Sequence, residues 1–139
     1  FFRRQRQMCI RDSSLDDQIF GKPRDEDHCI SMLLELSGRF HKVYSCVVIG
    51  ELVNNNSEEV NLNYEIVESE VLFKQLNAME CQKYWNTGEP IDKAGGYAIQ
   101  GYGATFIEKI IGSYSNIVGL PIFETCRILE SKKISFWLK

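Results

Sequence analysis

The stretch Gly88-Glu89-Pro90-Ile91-Asp92-Lys93-Ala94-Gly95-Gly96-Tyr97-Ala98-Ile99-Gln100-Gly101 cannot fold as one regular element, because its glycines and proline interrupt both helix and strand. The same glycines let the backbone come close to a ligand. Two carboxylates, an ammonium and an amide are placed among them. Carboxylate oxygens suit Mg²⁺ or Mn²⁺, Lys93 can meet a phosphate as a point charge, and Gln100 offers one donor and one acceptor edge to a base. The stretch therefore reads as a polyphosphate site. The competing reading is a surface turn in which Asp92 and Lys93 pair with each other.

Bulk properties frame this loop without identifying it. The 139 residues, 44% hydrophobic and 25% charged, suit one domain with material for a core. A net charge of −3 supplies no long-range attraction for nucleic acid or an anionic membrane, so any polyanion has to be bound locally. Cys9, Cys29, Cys46, Cys81 and Cys126 are odd in number and contain no Cys-x-x-Cys pair. Reduced thiols in a cytoplasmic protein are expected rather than disulfides or structural zinc. No apolar run reaches the roughly twenty residues of a membrane helix.

Along the chain, Leu15 to Phe20 reads as a strand or hairpin arm, broken by Gly21-Lys22-Pro23. A helix follows, with Asp25 as N-cap, Glu26 and Asp27 in its first turn, an apolar stripe of Ile30, Leu33, Leu34 and Ser37, and Gly38 beyond its end. His28 near its start is expected to be solvated. His41 to Ile49 reads as a buried strand and Asn54 to Glu59 as a turn. Val60 to Phe73 reads as one or two strands, completing a hairpin, with Val60, Leu62 and Tyr64 alternating against Asn61, Asn63 and Glu65. Asn77 and Glu80 have the spacing of a capping box that opens a short helix ending near Thr87-Gly88. Tyr97 to Gln100 and Thr105 to Ile111 read as strands. The intervening Gly101-Tyr102-Gly103 looks like a dinucleotide-binding motif, but Phe106 stands where the third glycine belongs and no helix opens there. Pro121 suits the first turn of a last helix, with Ile122, Cys126 and Leu129 facing inward. The mixture of strands and helices predicts an α/β or α+β domain.

Tyr84 to Gly101, followed by Gly112-Ser113-Tyr114-Ser115-Asn116-Ile117-Val118-Gly119-Leu120-Pro121, closely resembles the Maf family of nucleoside triphosphate pyrophosphatases. The resemblance continues upstream through Leu15 to Asp25 and Leu34-Glu35-Leu36-Ser37-Gly38-Arg39, and so covers the chain from about Leu15 to Leu129. It implies a twisted mixed sheet with flanking helices and a nucleotide cleft. It also implies hydrolysis of a nucleoside triphosphate to the monophosphate and pyrophosphate, with a divalent cation, and leaves a homodimer open. On this basis Lys22, Lys93 and Gln100 are expected to bind substrate, and Glu89 and Asp92 to hold the metal. Each has a plainer rival, a solvated loop residue or a surface ion pair. The wording Gly-Glu-Pro-x-Asp-Lys-Ala-Gly with Ile-Gln-Gly resembles the branch acting on dTTP and UTP rather than the one acting on 7-methyl-GTP. An inactive nucleotide-binding remnant is the alternative of a different class, and a dinucleotide oxidoreductase a distant third.

The start of the chain departs from the family pattern. Neither the Ser-x-Ser-x-Arg-Arg loop nor the Ala-Asp-Thr motif, whose aspartate is the family's expected proton acceptor, is present. Asp12 lies three residues before Leu15, closer than the family's aspartate, and between Arg11 and Ser13, so the catalytic role is not carried onto it. Residues 1–14 show neither strand alternation nor a helical stripe, and Arg4 to Ser13 resembles translated sequencing-adapter text. The expected organisation is a foreign leader over residues 1–14, a domain over 15–130 lacking its first strand and phosphate loop, and a tail over 131–139. A chain so built is expected to bind nucleotide but not to turn it over.

Overall fold

The computed structural model describes residues 6–53 and 59–137, with the backbone alone for residues 6–10. The turn expected from Asn54 to Glu59 lies almost wholly outside the described residues. The chain runs through strands β1 (Arg6–Leu15) and β2 (Gln18–Phe20), helix α1 (Glu26–Leu36), strands β3 (Phe40–Leu52) and β4 (Val60–Phe73), helix α2 (Ala78–Trp85), strand β5 (Ile107–Ile111), and helices α3 (Tyr114–Val118) and α4 (Ile122–Ser131). The strands form one sheet in the order β2-β1-β3-β4-β5, and its four pairings are all antiparallel. The fold class is the expected mixture of helix and sheet. The mixed sheet itself is represented here by antiparallel pairings alone.

Local chemistry explains the helices. Asp25 accepts the amide of His28 at 2.8 Å, and Asn77 and Glu80 form the complete capping box that opens α2. The inward face of α1 is shifted from the expected stripe: Cys29, Met32, Leu33 and Leu36 are buried, whereas Leu34 is exposed. The reason is α2, which packs against α1 and places Cys81 and Tyr84 in the same core as Cys29. In α4 the buried residues are Thr125 and Ile128, in line with the buried Pro121, while Ile122 is exposed. Ile128 meets Val47 and Ile49, and this contact sets the helix's rotation.

Residues 6–14 differ from their sequence reading, for they pair with β3 from Arg6 opposite Gly50 to Ser14 opposite Lys42. Their alternation is hidden because the inward positions include polar groups: Ser13 is buried and the Arg11 guanidinium donates to the Ile117 carbonyl at 2.7 Å. Asp16 and Asp17, both at positive φ, make the two-residue turn into β2. The segments Tyr97 to Gln100 and Thr105 to Phe106 are not strand. Ala94–Gly96 and Gly101–Phe106 are 3-10 turns, and only β5 continues the sheet.

All the helices lie toward one face of the sheet, where Val43, Val47, Ile49, Val71 and Phe73 point. The alternation expected in β4 is present, but Leu62, Tyr64 and Ile66 stand on the open face at 66%, 70% and 62% exposure. Glu65 turns inward instead because Arg127 of α4 pairs with it.

Candidate functional site

The loop after α2 is built around Glu89. One of its oxygens accepts the amide of Tyr102 at 2.9 Å and the other that of Gly103 at 2.7 Å. The Tyr84 hydroxyl also bonds this carboxylate, and accepts the Ala98 amide at 3.1 Å. Partial burial works to raise the Glu89 pKa, but the bonds from Tyr84, Gly103 and Tyr102 outweigh it and keep the carboxyl below its usual range. Burial, followed by the adjoining carboxylate, pushes the Tyr84 phenol up, so it stays protonated. The glycines that looked like a dinucleotide motif serve this arrangement. A Cβ at Gly101, where φ is +83°, would collide with Glu89 Oε1, and one at Gly103 would strike the Ala98 carbonyl.

The other end of the loop is tied to the segment after β2. The Gly95 amide donates to the Gly21 carbonyl at 3.1 Å, and Lys22 Nζ lies 3.6 Å from Asp92 Oδ1. Asp92 thus pairs with Lys22 rather than with Lys93, and both partners are exposed. Lys93 and Gln100 come together with Arg11, Ala98, Ile99 and Val118 around a cavity of about 140 Å³. Arg11, which sequence reasoning placed in the leader, is the unanticipated member of this set. Asp12 follows it on the strand and is exposed, on the opposite face from Arg11 and Ser13.

The residues expected to hold a divalent cation each have a partner within the protein. Both Glu89 oxygens accept backbone amides, and Asp92 is paired with an ammonium. Among the described residues no group of three or more His, Cys, Asp or Glu is arranged to hold a metal ion. Glu89 is thus engaged in holding the loop, and Asp92 in an exposed pair with Lys22. Cys29, Cys46, Cys81 and Cys126 are free thiols, and burial, with a smaller contribution from Cys81, pushes the Cys29 thiol up to about 11. His28 lies near the start of α1, where its Nδ1 accepts the Arg24 amide at 3.1 Å. No helix among the described residues is long and apolar enough to cross a membrane.

A family model described as "Maf-like protein" matches residues 7–132. The chain belongs to the Maf-like family. That match takes in β1 from its second residue, all of β2 to β5 and every helix. Among curated relatives, the "dTTP/UTP pyrophosphatase" of Saccharophagus degradans is 39% identical over 123 residues, covering 88% of this chain and 55% of the relative. The protein of the same description from Alkalilimnicola ehrlichii is 43% identical over 122 residues, covering 88% and 56%. A third, from Clostridium botulinum strain Alaska E43, is 46% identical over 117 residues, covering 84% and 60%. The Maf-like chain thus spans a little over half the length of these relatives.

Proposed function

We propose that this Maf-like chain binds nucleoside triphosphates of the dTTP and UTP type, and forms part of an enzyme that hydrolyses them to the monophosphate and pyrophosphate. The observation that carries this reading is the placement of Lys93 and Gln100 on one cavity, with the Gly21-Lys22-Pro23 segment tied to the same loop. Lys93 and Lys22 supply positive charge for a polyphosphate. Gln100 supplies the donor and acceptor that a uracil or thymine edge requires. The descriptions of the relatives agree with this choice. Divalent cations neutralise developing charge in phosphoryl chemistry. Here Mg²⁺ or Mn²⁺ would come with the triphosphate, since Glu89 is engaged by the loop amides.

A second reading, binding without turnover, is favoured by the cavity lining. Among the described residues that line it, Arg11, Lys93 and Gln100 are the polar side chains and none is a carboxylate. Asp12 faces the other way. Pyrophosphate release from UTP, dTTP and 7-methyl-GTP by the purified 139-residue chain, beside calorimetric binding of the same nucleotides, separates these readings. Release from UTP and dTTP supports the enzyme. Binding with no release supports the second reading, and turnover abolished by Asp12→Asn would overturn it. Stronger binding of 7-methyl-GTP than of UTP would remove the pyrimidine assignment, and absence of binding to any of them would remove both readings. Gln100→Ala is expected to narrow the preference between pyrimidine and purine nucleotides.

A further inference from the structure

Gln100 is exposed and lies in no helix or strand, and its side chain takes part in no hydrogen bond of the described network. Its position depends on the backbone either side of it. On the amino side, the Ala98 amide is held by the Tyr84 hydroxyl at 3.1 Å. On the carboxyl side, the amides of Tyr102 and Gly103 are held by the two oxygens of Glu89 at 2.9 and 2.7 Å. Tyr84 and Glu89 bond each other, so the two anchors form one unit rooted in α2. Tyr84 is in turn buried against Phe106, with ring centroids 4.9 Å apart. The five-residue span from Ala98 to Tyr102 is therefore fixed at both ends with Gln100 at its centre.

We propose that Glu89 is a positioning residue, clamping the Gly101–Gly103 backbone together with Tyr84 so that Gln100 is presented to the base of the bound nucleotide. This rests on the reading of Gln100 as the base-contacting residue. A carboxylate suits the task because its two acceptor oxygens match two consecutive amides that the 3-10 turn leaves without helical partners. Glutamine at position 89 would turn one acceptor into a donor facing another donor. Aspartate, one methylene shorter, would keep both acceptors but fall short of the amides. The clamp also accounts for glycine at 101 and 103, where a Cβ would enter space used by Glu89 Oε1 and, at 2.7 Å, by the Tyr84 hydroxyl.

The test has a nucleotide-free arm and a nucleotide arm, both on the 139-residue chain. In the first, amide hydrogen exchange is compared between the parent, Glu89→Ala and Glu89→Gln. The clamp predicts at least about tenfold faster exchange at Tyr102 and Gly103 in Glu89→Ala, with Glu89→Gln between. Unchanged protection at both amides would overturn it. In the second, affinities for UTP and GTP are measured by calorimetry with and without Mg²⁺. Positioning predicts that Glu89→Ala shrinks the UTP-to-GTP ratio as far as Gln100→Ala does, and that the double variant loses no more. An equal loss for both nucleotides, or a loss that appears only with Mg²⁺, would assign Glu89 to general structure or to metal and overturn the proposal. A parent chain with no preference between UTP and GTP would instead sink the base-reading role of Gln100, while amide exchange still decides whether the clamp exists.

Discussion

The phenol oxygen of Tyr97 lies 2.7 Å from Nε2 of His41, and both side chains are buried where the functional loop crosses the sheet. The two rings meet Phe73 edge-on, at 4.7 Å from Tyr97 and 4.9 Å from His41. Tyr97 precedes Gln100 by three residues, so a residue of β3 supports the candidate loop from below.

Protonation of His41 should therefore weaken the fold. Burial lowers its pKa to about 4, with a hydrogen bond to the Arg39 backbone acting in the opposite direction. The unfolded chain binds a proton near pH 6.5 and the folded one only near 4, so stability is fully present above about 6.5 and lost as pH falls through 4. The loss from this group is on the order of 3 kcal/mol. Urea midpoints at pH 7.5 and 4.5 check it: His41→Asn should be less stable than the parent at the higher pH and show a smaller drop between the two.

Alanine should be costly at Gly103 and cheap at Gly88. At Gly103 a Cβ meets the Ala98 backbone and the Tyr84 hydroxyl, neither of which can move without opening the loop. At Gly88, with φ +76°, nothing lies within 4 Å and only backbone strain is added. Expected losses are about 3 kcal/mol or more for Gly103→Ala and about 1 kcal/mol for Gly88→Ala, read from denaturant midpoints. Equal losses would contradict the packing described.

Tyr84→Phe keeps the ring against Phe106 and removes the hydroxyl shared by Glu89 and Ala98. The Ala98 amide then lacks its acceptor, which costs about 1–3 kcal/mol. Thermal melting should register that loss, and Ala98 should exchange its amide proton faster than in the parent.

Lys22→Ala removes an exposed ammonium whose visible partner is the exposed Asp92. Surface pairs of this kind contribute little, so the melting temperature should hardly move. Affinity for UTP should fall by about 10- to 100-fold if Lys22 meets a phosphate. A large melting shift with unchanged affinity would make Lys22 structural.

The parts of the fold legible in sequence are those governed by neighbours along the chain. Asp25, and Asn77 with Glu80, cap the helices expected of them because a cap needs only the next few residues. The rotation of α1 was not legible, since it depends on where α2 sets Cys81 and Tyr84. Strand β1 was hidden because polar Arg11 and Ser13 occupy inward positions, where the Ile117 carbonyl accepts from the Arg11 guanidinium. At the site, the run of glycines and polar residues marked out the loop, but not that its path would bring Lys93 and Gln100 onto one cavity beside Arg11. Glu89 carried no mark that would distinguish a metal ligand from an acceptor of amides, because either role favours a carboxylate among glycines.

With glycine imposed at 101 and 103, point mutation can alter the base contact proposed for Gln100 chiefly at that one codon. Either glutamine codon at position 100 reaches glutamate, lysine, arginine, histidine, leucine or proline by one nucleotide change, and none of these keeps a neutral amide's paired donor and acceptor. Point mutation at this position thus arrives as an abrupt change of charge or shape. A lineage drifting toward another nucleotide would have to cross that step or remodel the wall around Arg11 and Val118 instead.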